Sequence, residues 1–140
     1  DFLISERINP NQNVSTAING FQKEVVLERN AFGHYVTHGT INGEQVTFLL
    51  DTGATDVALP EVLADRLNLD KGRSIMVKTA NGNIRAYRTR LESVAIGEIR
   101  LYDLDATILT NMSGSDVLLG MSYLKHFEIT QKGKTLTIKQ

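Results

Sequence analysis

Short apolar runs, separated by turn residues at close and regular intervals, govern what this chain can fold into. From Glu24 onward strand-like segments cover residues 24–29, 33–41, 45–50, 74–79, 84–91, 91–96, 99–109, 128–130 and 135–138. Asn42-Gly43, Asn81-Gly82, Gly97-Glu98 and Lys132-Gly133 punctuate them. Asn-Gly between two such runs is a strong hairpin signal, because both residues tolerate the positive φ of a tight turn. Only two stretches carry helical spacing. Pro60 suits the start of a helix, with Val62, Leu63, Leu67 and Leu69 following and Gly72 as its stop. Met121, Leu124 and Phe127 share one side of a shorter helix within 121–127. The pattern predicts an all-β closed barrel or sandwich with one or two short helices.

Size and charge narrow the function. The chain has 140 residues, the length of one domain. Fifteen Lys and Arg stand against sixteen Asp and Glu, which argues against a nucleic-acid partner held by phosphate contacts. No cysteine is present, so a disulfide framework, a thiol nucleophile and a cysteine-ligated zinc site are all excluded. No run of eighteen apolar residues occurs. Position 1 is Asp, so the sequence reads as processed or as an excerpt of something longer. Residues 1–23, polar and without a sustained period through Gly20, read as an arm or linker, and residues 24–140 as the folded domain.

One tripeptide stands out as a place for chemistry. Asp51-Thr52-Gly53, with Ala54 after it, follows Val46, Phe48, Leu49 and Leu50, a run apolar enough to be buried on both faces. Asp and Gly are also ordinary turn residues, and such a tripeptide arises by accident in roughly 3 of 100 chains of this size. The context gives it weight. A buried strand delivers the carboxylate, and Gly53 lets the backbone turn with its amide close to the oxygens.

These features together resemble the retropepsin-like aspartic proteases, in the right order along the chain. Asp51-Thr52-Gly53-Ala54 is similar to the family's active-site loop, and the Asn81-Gly82 hairpin lies where the family carries its substrate-covering flap. Leu118-Leu119-Gly120 resembles the element that packs beside that loop, and the segment 121–127 the helix after it. Thr79-Ala80-Asn81-Gly82 and Leu118-Leu119-Gly120-Met121-Ser122-Tyr123-Leu124 look like a bacterial single-domain branch. The resemblance covers about residues 32–138 and implies a retropepsin-like closed β-barrel with one lobe per chain.

The resemblance also implies a mechanism and an assembly. Aspartic proteases hydrolyse peptides with two facing carboxylates that share a proton, one activating water and the other protonating the carbonyl oxygen. This chain has one Asp-Thr-Gly and no Asp-Ser-Gly, so the second Asp51 must come from a second copy across a two-fold axis. On that likeness Thr52 fixes the two loops across the axis, and Thr79, Ala80, Asn81, Gly82 and Asn83 form the flap over an extended peptide. Leu118, Leu119 and Gly120 support the loop by packing. No metal or other cofactor is called for. The partners are a second copy of the chain and a peptide or unfolded protein substrate. Bacterial relatives of this kind imply a periplasmic setting, with a membrane anchor outside this sequence.

Other residues admit other readings. His34 and His38 are four apart on a strand and lack the glutamate partner of a helical zinc site, so they read as surface or partly buried strand positions, and His126 is distant in sequence. Ser113 and Ser115 flank Gly114 without the strand-turn-helix context of a serine nucleophile. Asp56 reads as a solvated charge or a residue leading into the helix, with a place in the cleft as the alternative. Asp103, Asp105 and Asp116 read as surface or capping groups, and Tyr87 as a cross-strand packing residue or a cleft wall. The rival functions are a catalytically silent barrel that binds an extended peptide or partner, and a structural module tethered by its arm.

Overall fold

The computed structural model describes residues 7–80 and 82–140, so Asn81 of the expected flap lies outside the described residues. In chain order the elements are β1 (Thr16–Asn19), β2 (Gln22–Glu28), β3 (Tyr35–Ile41), β4 (Glu44–Leu50), β5 (Val57–Pro60) and α1 (Glu61–Arg66). They continue with β6 (Ser74–Thr79), β7 (Gly82–Ile96), β8 (Ile99–Leu109), β9 (Asp116–Leu119), α2 (Met121–Leu124), β10 (Glu128–Lys132) and β11 (Thr135–Lys139).

Six strands close into a barrel in the order β3-β4-β9-β5-β8-β7, and the pairs Thr40↔Ala95 and Ile41↔Val94 seal β7 back onto β3. Closure leaves no edge within the ring, so its backbone groups pair without exposing a strand to chance partners. The all-β barrel expected from the turn spacing is the fold observed. Burial alternates along β4 and the middle of β7, whereas β5 and the end of β7 are buried throughout. Val46 and Phe48 of β4, Leu91, Val94 and Ile96 of β7, and Ala106 and Ile108 of β8 are all buried. Each large side chain so buried contributes about 1.5–3 kcal/mol relative to exposure.

The segments 84–91 and 91–96, read separately in the sequence, form the single fifteen-residue β7. Its first half pairs with β6 from Thr79↔Gly82 to Ser74↔Tyr87, its last residues with β3, and β8 runs alongside from Ala86↔Leu109 to Ile96↔Ile99. Residues 82–85 therefore pair with β6 alone, and the β6–β7 hairpin projects from the barrel by about four residues, some 13 Å. Gly82 opens β7 at φ +106, where a side chain would be strained. Pro60 caps α1 from just outside it, and the helix stops at Arg66, with Asn68 in the left-handed region. Gly72 is not the stop. A Cβ there would lie 2.8 Å from the Arg88 carbonyl oxygen, so Gly72 serves a close strand crossing instead. The second helical segment is also shorter than 121–127. Only 121–124 is helical, and Phe127 beyond it meets the Tyr123 ring at 4.9 Å.

A second, antiparallel sheet runs β1-β2-β11-β10. Val25, Leu27, Leu136 and Ile138 on its inner face join the barrel core. The C-terminal β11 lies between β2 and β10, so both of its edges are used within its own chain. Within the described part of the segment before Glu24, residues 7–23, several residues pack into the fold. Thr16–Asn19 pair with β2, and the Thr16 hydroxyl accepts the Glu98 amide at 2.9 Å. Asn11 is buried, and its side-chain amide donates to the carbonyls of Glu28 and Val36, both at 2.8 Å, while its oxygen accepts the Glu28 amide at 2.9 Å. A side chain that satisfies backbone groups on two strands looks polar in sequence, yet it belongs to the interior.

Candidate active site

The Asp51 loop is built between two strands that are not neighbours in sequence. β4 leads into it and β5 leads out of it, and β9 inserts between them. β9 is parallel to β4, with Leu49↔Leu118 and Leu50↔Leu119, and antiparallel to β5, with Val57↔Leu119 and Ala58↔Leu118. Asp51 extends this ladder by one bond, its amide donating to the Leu119 carbonyl at 2.9 Å. The chain then turns, and the Ala54 amide donates to the Asp51 carbonyl at 3.1 Å. Within the turn the Gly53 amide donates to Asp51 Oδ1 at 2.9 Å, which orients the carboxylate. A Cβ on Gly53 would stand 3.2 Å from that same oxygen. Asp51, Thr52 and Gly53 are exposed, so the carboxylate is presented outward from a rigid base.

The base is Leu118-Leu119-Gly120 and the start of α2. The Met121 amide donates to the Ala54 carbonyl at 2.8 Å, and the Ser122 amide to the Thr55 carbonyl at 2.9 Å. Gly120 lies beneath this seam. A Cβ there would fall 2.3 Å from the Asp56 carbonyl oxygen and 2.7 Å from that of Ala54. Gly120 and the start of α2 therefore lie directly against the loop. Tyr123 is fully buried under the same corner, and burial pushes its phenol well above the ordinary range.

Asp56 closes the loop, and its surroundings differ from the solvated position expected. It is partly buried, and Arg88 Nη1 of β7 donates to its Oδ2. The Thr107 hydroxyl of β8 reaches the same Oδ2 at 2.6 Å, and Arg88 Nη1 lies 2.6 Å from that hydroxyl. Arg88 and Thr107 stand opposite each other in the β7–β8 register, and Thr107 pairs with Ala58, two residues beyond Asp56. Neither Arg88 nor Thr107 had a signal in the sequence, because a charge on an alternating strand reads as solvent-facing.

Ninety residues of the chain, 37–126, match the family described as "gag-polyprotein putative aspartyl protease". The span holds the Asp51 loop, the β6–β7 hairpin and the Leu-Leu-Gly element. The chain belongs to this aspartyl protease family. The retropepsin-like chain is similar to an uncharacterized Sinorhizobium protein, 35% identical over 113 residues that cover 79% of the chain and 48% of the relative. A second uncharacterized relative, from Rickettsia prowazekii, is 33% identical over 118 residues, covering 82% and 50%. The chain thus spans about half the length of these two proteins. Among solved structures, a retropepsin-like aspartic protease from Rickettsia conorii superposes with a TM-score of 0.71 at 28% identity, covering 89% of this chain and 94% of that one. The protease of EIAV, solved with an inhibitor, shares the fold, with a TM-score of 0.56 at 21% identity over 69% of this chain and 90% of that one.

The remaining sequence candidates scatter over this retropepsin-like fold. Thr79 and Gly82 form the last described pair of the hairpin, the Thr79 hydroxyl donating to the Gly82 carbonyl at 2.6 Å, and Ala80 and Asn83 are exposed beside them. His34 and His126 are exposed, and His38 contacts Gln45 Nε2 through Nδ1 at 3.3 Å. Among the described residues no cluster of three or more His, Asp or Glu is placed to hold a metal. Tyr87 is the cross-strand residue, packed against the core opposite Ile108. Asp103 and Asp105 are exposed and meet Arg90, whose hydrogen bond holds the Asp105 carboxyl below the usual range. Asp116 is exposed at the start of β9.

Proposed function

We propose that the chain is one half of an aspartic endopeptidase, active as a homodimer in which the Asp51 of each subunit faces its twin. The observation that carries this reading is the Asp51 loop. A single carboxylate is oriented by the Gly53 amide and held on a floor of Leu119 and Gly120, in a chain with only one Asp-Thr-Gly. A lone carboxylate cannot both take a proton from water and give one to the substrate carbonyl, whereas a pair sharing one proton does both. In the dimer one Asp51 removes a proton from the lytic water as its oxygen bonds to the carbonyl carbon. The other protonates the carbonyl oxygen. Collapse of the resulting diol, with proton transfer to nitrogen, breaks the C–N bond.

Thr52 joins the two loops across the axis, and Thr79 to Asn83 cover an extended peptide that adds to the hairpin as a further strand. The extracytoplasmic, membrane-anchored setting belongs to the same proposal, and fractionation of cells carrying the full-length protein tests it. The decisive experiment measures mass in solution and cleavage of an unfolded protein between about pH 3 and 7, for the parent chain and Asp51→Asn. Asparagine keeps an oxygen for the Gly53 amide, so the fold stays intact and a loss of cleavage reports chemistry. Cleavage should rise below neutral pH, where one member of the pair is protonated. Equal cleavage by Asp51→Asn, or cleavage by a strict monomer, refutes the proposal. A dimer that binds peptides without cutting them is the silent barrel.

A further inference from the structure

Among the described residues, a polar contact between Arg88 and Asp56 crosses from the β6–β7 hairpin to the Asp51 loop, at the root of the hairpin. Beyond residue 86 toward its tip, β7 loses β8 as a partner. There the Thr110 hydroxyl donates to the Arg85 carbonyl at 2.7 Å. Three residues further in, Arg88 is held by its backbone on the β6 side. Its amide donates to the Arg73 carbonyl at 2.9 Å, and its carbonyl accepts the Gly72 amide at 2.8 Å. Gly72 is what lets the two backbones approach this closely. The Arg88 side chain crosses to Asp56, where the loop rejoins β5, and Thr107 lies between them in contact with both. Ser122 of α2 completes the group with a long contact of 3.5 Å to Asp56 Oδ1.

All four groups are partly or fully buried, unlike the exposed pair of Arg90 with Asp105 on the neighbouring strands. An exposed pair of that kind contributes little, because water and salt screen it. A partly buried carboxylate with two donors on one oxygen is held in place, and losing one donor leaves it under-satisfied. The Asp56 backbone is also constrained from below, its carbonyl lying against Gly120. The residue is thus fastened through its side chain to the hairpin and through its backbone to the floor of the loop.

We propose that Arg88 is a positioning residue that ties the root of the β6–β7 hairpin to the Asp51 loop through Asp56, so that the seating of the hairpin is transmitted to the loop. The proposal rests on the reading of that loop as catalytic only for its effect on turnover. The mechanical coupling stands independently and is tested separately. The Arg88 side chain meets Asp56 and Thr107 rather than Asp51. It acts by holding Asp56, and with it the loop segment 54–56 that hydrogen-bonds to Met121 and Ser122.

The test is amide hydrogen exchange in the parent chain, Arg88→Met and Thr107→Val, combined with cleavage kinetics. In Arg88→Met, amides of residues 54–57 and 74–79 should exchange about tenfold faster together, while those of β3 and β4 keep their rates. Thr107→Val removes the hydroxyl but keeps the volume and the ion pair, and should give the same pattern with smaller amplitude. Arg88→Lys keeps the charge without the planar fork and should restore part of the protection. In kinetics, Arg88→Met should lower kcat more than it raises KM, and Arg88→Met with Asp56→Asn should be no worse than the worse single variant. Faster exchange of the loop with an unchanged hairpin, or the reverse, overturns the coupling, as does no change in either. Should Arg88→Met unfold, Thr107→Val alone decides, by the same joint response. Joint loosening in a protein that cleaves nothing supports the coupling and removes only the catalytic reading.

Discussion

Gly120→Ala adds a single methyl group at the place where the loop and its floor are closest. Gly120 has φ −94 and ψ −166, an extended conformation open to any residue, so the substitution carries no backbone strain of its own. The cost is space. The new Cβ would lie 2.3 Å from the Asp56 carbonyl oxygen, 2.7 Å from that of Ala54 and 2.9 Å from the Ala54 carbonyl carbon. Ordinary contact needs roughly 1 Å more than the shortest of these. All three atoms are backbone, so no side-chain rotation relieves the overlap. The loop must lift, which strains the bonds from Met121 to Ala54 and from Ser122 to Thr55.

Overpacking of this kind costs about 2–3 kcal/mol, and for a chain of this size that lowers Tm by about 5–10 °C. On the proposed reading of Asp51 as catalytic, a lift of about 1 Å there lowers kcat by about 100-fold. The assay is thermal unfolding followed by kcat of the proposed dimer, at a temperature where both proteins are folded. A folded Gly120→Ala dimer with parental Tm and parental kcat refutes the claim that this seam positions Asp51. Loss of stability with parental kcat refutes the link from seam to chemistry alone.

Three further outcomes follow from the same structure. Asn11→Ala leaves the carbonyls of Glu28 and Val36 and the Glu28 amide without their side-chain partner, and should cost about 3 kcal/mol by urea unfolding while kcat of the folded protein stays unchanged. Among the described residues the buried Tyr123 hydroxyl has no hydrogen-bond partner, so Tyr123→Phe should be neutral or raise stability by up to about 1 kcal/mol in the same assay. Arg90 lowers the folded-state pKa of Asp105, so the associated stability is present above the ordinary carboxylate pKa, about 3.9, and is lost as pH falls through the folded value. Because the pair is exposed, Asp105→Asn should move the urea midpoint slightly at pH 7. The difference should disappear in strong acid, and one that grows on acidification contradicts the sign.

Local pattern in the sequence determined the strands, their turns and the place of the carboxylate. An apolar strand of period two, an Asn-Gly pair and Asp-Thr-Gly after a buried run are all short-range signals, each written within ten residues. Leu118-Leu119-Gly120 was picked out by its likeness to a known family, not by local pattern alone. What lies on the other side of each strand was decided elsewhere. β9 slots between β4 and β5 from more than fifty residues away, Asn11 satisfies strands 17 and 25 residues downstream, and Arg88 meets Asp56 across 32 residues. In a strand, alternation tells which side chains share a face, but not which strand arrives beside them or in what register. Asparagine, arginine and aspartate therefore look solvated until the tertiary structure supplies the backbone groups and charges that bury them. The sequence determined where the acid is, and the fold decided what holds it still.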